Sequence, residues 1–130
     1  MLITPLFAVI LSLIYIGLSF NVIRHRFGKK ISIGSGDDKR VEYAIRAHAN
    51  FIEYVPLALI LFYFLEVITL SSFTVFYLGT ALVIARVMHV LGMLNPREFL
   101  VLRQLGVIIT MGVILIACIA LALRYIPISV

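Results

Sequence analysis

Apolar residues fill the chain in four long runs, Leu2 to Ile23, Tyr43 to Leu65, Phe73 to Leu94 and Leu105 to Ile126. Each has about the 20 residues that a helix needs to cross the hydrocarbon core of a bilayer. Between the first two runs lies HRFGKKISIGSGDDKRVE, whose Gly-Ser-Gly and alternating charges give it the only aqueous character in the chain. The second connection, near Thr69 to Thr74, leaves room for a tight turn and makes a hairpin of the second and third helices. The pattern predicts helices over about 2–24, 38–68, 72–94 and 96–126, in one transmembrane domain covering 1–130. The fold class is all-α, an integral membrane four-helix bundle.

The expected ends carry their own signals. Asp37 or Asp38 can cap the second helix and complement its dipole, and Ser71 or Ser72 can cap the third. Asn95-Pro96-Arg97-Glu98 reads as a cap, a first-turn proline and a third-position acid, a capping box that opens the fourth. No basic residue precedes the first run and no small-residue cleavage site ends it, so it reads as a retained span rather than a signal peptide. Neither an internal repeat nor a low-complexity tract is visible.

Composition agrees with this picture, since 63% hydrophobic residues, 13% charged residues and a mean hydropathy of +1.16 leave a soluble domain almost no surface to show to water. The net charge of +5 follows from topology. Arg24, Arg26, Lys29, Lys30, Lys39, Arg40, Arg46, Arg86, Arg97 and Arg103 fall toward the first and third connections, and only Arg124 falls opposite. The positive-inside rule then places those connections in the cytoplasm and both termini on the other side. No aromatic-interleaved basic face suggests nucleic acid; anionic headgroups are the simpler partner. Cys118, the single cysteine, is expected to be a packed, inert thiol, and no metal site is expected.

Ionisable residues interrupt two of the four runs. The second carries Arg46, His48, Asn50 and Glu53 and the third Arg86 and His89, where each costs energy unless paired or hydrated. At 100° per residue Arg46, Asn50 and Glu53 form one stripe, and Arg86, His89 and Met93 form another. His48 points elsewhere. Glu53 and Arg86 each lie roughly 12 Å from the cytoplasmic ends of their helices, which predicts that they pair, with Pro56 kinking the helix and opening space nearby. Such a pair on its own would set no more than the register of the hairpin. A pocket open to the cytoplasmic side accounts in addition for Arg46, Asn50 and Arg103, whereas Arg24 alone could simply snorkel to headgroups. Arginines suit carboxylates and a lone glutamate suits an ammonium, so the natural guest is a small zwitterion with more than one carboxylate.

The stretch Arg46-Ala47-His48-Ala49-Asn50-Phe51-Ile52-Glu53-Tyr54-Val55-Pro56, with Arg86-Val87-Met88-His89 on the third helix, resembles the MAPEG family, the membrane-associated proteins in eicosanoid and glutathione metabolism. The resemblance covers nearly the whole chain and is of the bacterial type. It implies a homotrimer in a prokaryotic inner membrane, with glutathione as co-substrate held between neighbouring subunits near the cytoplasmic leaflet. It implies further that Arg46, His48, Asn50, Glu53, Tyr54, Arg86 and His89 bind glutathione, that Arg24 reaches it from a neighbour, and that Arg103 stabilises the thiolate, with Arg97 the other arginine for that role. Met93 stands where several members place a tyrosine, and Val107 offers no hydroxyl, so more residues point to binding than to turnover. The implied function is a glutathione-dependent transferase or peroxidase acting on lipophilic electrophiles or lipid hydroperoxides. The alternatives are a non-catalytic trimer binding glutathione or lipid, or a small transporter, for which the first helix lacks the acid.

Overall fold

A computed structural model describes residues 2–69, 72–94 and 99–125. Four helices, α1 (Thr4–Lys29), α2 (Lys39–Thr69), α3 (Ser72–Leu94) and α4 (Leu100–Tyr125), run alternately up and down, and each is long and apolar enough to cross a membrane. Ser71 and Asn95 to Glu98, expected to cap α3 and α4, lie outside the described residues, as does Arg97.

The first helix continues to Lys29, beyond the expected end near residue 24, because nothing in Arg24 to Lys29 breaks a helix and its last turn places Arg26 and Lys29 at the negative end of the dipole. It stops where Lys30 turns left-handed at φ 56° and the Ile31 N–H bonds back to the Arg26 carbonyl. Asp38, rather than Asp37, caps α2, accepting from the N–H groups of Arg40 at 2.9 Å and Val41 at 3.2 Å. Its other oxygen meets Lys29 Nζ at 3.1 Å, so one carboxylate ties the end of α1 to the start of α2. That lysine hydrogen bond, and then the Val41 N–H, hold Asp38 below the ordinary carboxylate range.

Packing follows helical spacing. Phe51, Val55, Ala58, Phe62 and Leu65 of α2 face Leu11 and Leu18 of α1 and Val75, Leu78 and Leu82 of α3, while Val113 and Ala117 bring in α4. The outward faces are apolar as well, with Leu13, Phe20, Ile108 and Leu123 exposed, as a surface bathed in lipid requires. Cys118 belongs to that outer surface and not to the core, a correction that α4's spacing explains, since it adjoins inward-facing Ala117. Where lipid replaces water, helices associate through close contact, and glycines provide it. A Cβ at Gly92 would stand 2.5 Å from the Arg103 backbone nitrogen, and one at Gly106 would stand 2.6 Å from the Ala85 carbonyl.

Pro56 lies inside α2 without ending it. Space does open beside it, but toward α1, in an apolar cleft of about 140 Å³ lined by Leu11, Tyr15 and Phe51, away from Glu53.

A further acid is buried at the other end of the bundle. Glu66 is 1% exposed and accepts from the Ile3 N–H at 2.6 Å, the Thr4 N–H at 2.9 Å and the Thr4 hydroxyl at 2.8 Å. Ile3 has no side chain able to cap α1, so the last turns of α2 supply the cap from across the hairpin.

Replacing Glu66 by Ala strands these donors and is expected to destabilise the detergent-solubilised protein by about 1–3 kcal/mol; an unchanged melting curve would show that the cap is dispensable. The Asp38 carboxylate stabilises most above the ordinary aspartate pKa, and its contribution is lost as pH falls through its lowered folded value. Asp38→Ala should therefore melt earlier than the parent at neutral pH and together with it in acid, and a pH-independent difference would contradict the ionic component.

Candidate functional site

One face of α2 is polar from its first turns inward. Glu42, Tyr43, Arg46, Asn50 and Glu53 recur at spacings of three and four and share a pocket of about 340 Å³ with His89 and Met93 of α3 and Arg103 of α4. Five of the nine residues singled out in the sequence thus meet: Arg46, Asn50, Glu53, His89 and Arg103. Glu42 and Tyr43 were missed, although continuing the stripe one turn toward the start of α2 reaches both.

Arg86 does not pair with Glu53. It is 1% exposed at the junction of α2, α3 and α4, donating from Nη1 to Asn50 Oδ1 at 2.9 Å and from Nη2 to the Gly106 carbonyl at 3.3 Å. The Tyr54 ring lies beneath its guanidinium carbon at 5.8 Å, a cation–π distance that accounts for Tyr54 facing away from the pocket. The physical reason is desolvation: neutral oxygens and a π face stabilise the buried cation without also burying a carboxylate. Glu53 stays exposed at the pocket.

Arg86 has a second effect. An arginine only donates, so the Asn50 oxygen must face it, and the Asn50 amide N–H groups remain for another partner. Arg46, Glu53 and Glu42 form no ion pair among the described residues, where Lys29 and Asp38 make the one bridge. Arg103 is held softly, its Nη1 3.9 Å from the Met93 sulfur, while its carbonyl lies 3.2 Å from His89 Nδ1. The pocket therefore presents two guanidinium groups, an amide donor and two carboxylates with little internal neutralisation. That is a surface for a zwitterion.

Arg103 and His89 also border a groove of about 530 Å³ on the other side, continued by Gln104, Val107 and Ile108. Ile108 is among the outward apolar residues. Arg103 thus stands where a polar pocket and an apolar, outward groove meet.

Two expected residues lie elsewhere in the single chain. His48, set off the stripe by its spacing, faces α1, with its Nε2 3.2 Å from the Ser19 hydroxyl and its ring 4.8 Å from that of Tyr15. Arg24 is exposed and donates to Asn21 at 3.2 Å, in a shallow groove with Gly17 and Phe20.

Known proteins provide an independent comparison. The family model described as the MAPEG family matches residues 4–123. The chain is similar to the inner membrane protein YecN of Escherichia coli strain K12, 33% identical over 91 residues, covering 70% of each chain, and equally to its counterpart in Escherichia coli O6:H1. No solved structure matches.

If Arg86 orients the pocket, Arg86→Lys keeps the charge but loses the fork that reaches Asn50 and Gly106 together. It is expected to cost about 1–3 kcal/mol of stability by leaving buried polar groups unsatisfied; a variant as stable as the parent would show that a point charge suffices.

Proposed function

Since the chain belongs to the MAPEG family, we propose that it is a glutathione-dependent membrane transferase or peroxidase, acting on lipophilic electrophiles or lipid hydroperoxides. It is a multi-pass protein of the inner membrane, in accord with its four spans and its inner-membrane relative. Arg46, the Asn50 amide and Glu53 match the carboxylates and ammonium of the tripeptide, and about 340 Å³ falls within the roughly 300–1,000 Å³ of ligand sites. Arg86 acts from behind by holding Asn50, and Tyr54 by seating Arg86.

The observation that carries the reading is the position of Arg103 between the polar pocket and the apolar groove. A guanidinium there favours thiolate over thiol, and the thiolate is the nucleophile. The groove offers a lipophilic second substrate a path from the membrane to the same sulfur. In this reading the pocket faces the cytoplasm, both termini lie on the other side, and three copies assemble so that Arg24, which does not reach the pocket of its own chain, serves that of a neighbour. His48, engaged by α1, contributes through α2 rather than by contact.

A non-catalytic glutathione- or lipid-binding trimer is the second reading. It is favoured by one feature, the Met93 thioether and Val107 side chain near Arg103, which supply no hydroxyl to the sulfur.

Calorimetric titration with glutathione, run alongside the ultraviolet band of the thiolate, separates the two. The transferase reading expects binding with a thiolate signal, and Arg103→Ala should reduce turnover by about 10²-fold or more while retaining part of the binding. Binding without thiolate would establish the second reading, and absence of binding would remove both in their glutathione form.

A further inference from the structure

His89 is 5% exposed, forms part of the pocket wall and engages Arg103 through one ring nitrogen. Its Nδ1 lies 3.2 Å from the Arg103 carbonyl oxygen, and a carbonyl only accepts, so Nδ1 carries the proton. In the neutral ring the lone pair is then on Nε2. Among the described residues Nε2 is shielded from solvent and has no hydrogen-bond partner. A buried acceptor without a partner, in the wall that also holds Arg103, calls for a donor from the ligand.

We propose that His89 Nε2 takes the proton of the bound thiol while Arg103 receives the charge left on sulfur, an assignment that rests on the glutathione reading above. The S–H bond breaks, an N–H bond forms at Nε2, and the electron pair stays on sulfur. When that sulfur attacks an electrophilic carbon such as that of an epoxide, a C–S bond forms, a C–O bond breaks, and the alkoxide recovers the proton from Nε2. The charged and titratable groups around the ring are Arg86 on its own helix, Arg103 on α4, and Glu42, Tyr43, Arg46 and Glu53 across the pocket on α2. With the Nδ1 proton committed to the Arg103 carbonyl, the ring offers Nε2 as its acceptor, and the thiolate arising beside it balances the charge taken up there. Met93 is the flexible neighbour able to shift and admit the sulfur.

The test is stopped-flow mixing of the full-length protein in lipid nanodiscs with glutathione, following the thiolate band, with binding measured separately by calorimetry. His89→Asn places an amide nitrogen near the position of Nδ1, so it keeps the bond to Arg103 while removing the base. It should bind glutathione yet form thiolate about 10²-fold more slowly, the deficit shrinking as pH rises and hydroxide substitutes. His89→Gln, which accepts but cannot take up a proton, should be slow as well. Thiolate formation at the parent rate in a variant that binds would overturn the proposal and leave His89 a support for Arg103. Loss of binding in both variants would overturn it too, in favour of a ligand contact. If the parent itself binds no glutathione, the functional reading falls first and this assignment with it.

Discussion

A guanidinium that cannot give up its charge is buried where three helices meet, and much of the bundle is arranged around that constraint. Arg86 needs acceptors in a medium that supplies none, and it finds Asn50 on α2, the Gly106 carbonyl on α4 and the face of Tyr54. Reaching both helices at once requires close backbones. Gly92 and Gly106 allow α3 and α4 to approach until a single added carbon would collide. The rotation of α2, α3 and α4 about their axes is thereby constrained by polar contacts as well as by apolar packing.

The pocket is a consequence of the same arrangement. Because Arg86 bonds to neutral oxygens and not to a carboxylate, Glu53 remains unneutralised, and because Asn50 turns its oxygen to Arg86, its amide hydrogens are left over. The most buried cation is thus turned to the helix junction, while the half-buried and exposed groups line the pocket with their charges unpaired. Arg103 differs again, its backbone gripped by Gly92 and His89 and its guanidinium held, among the described residues, only by a thioether. Fixed at the base and free at the tip, it suits a group that must meet a charge developing on another molecule.

Opposite ends of the bundle are fastened by different carboxylates. Asp38 joins α1 to α2 at the basic end and remains in contact with solvent, whereas Glu66 is enclosed and caps α1. Only the basic end carries the pocket, and there the first turns of α2 supply Glu42 and Tyr43 in addition to the residues deeper in the span.

Hydropathy and spacing by themselves determined the four helices, their alternation, and the stripe of Arg46, Asn50 and Glu53, because lipid demands long apolar runs and a helix returns every three or four residues to one face. The same geometry set His48 apart. Which partner each polar group takes was decided only in three dimensions. Glu53 and Arg86 stand at equal depth, yet desolvation favours Asn50 and a backbone carbonyl over a second buried charge, and an α4 carbonyl that Arg86 shares with the Thr110 hydroxyl has no signature in the residue letters. Glu66 shows the same limit, since an acid near the end of a span reads as a surface group until the start of α1 is seen to lie against it. The rotation of α3 and α4, which brings His89 and Arg103 to one wall, depends on how closely two glycines let the backbones come.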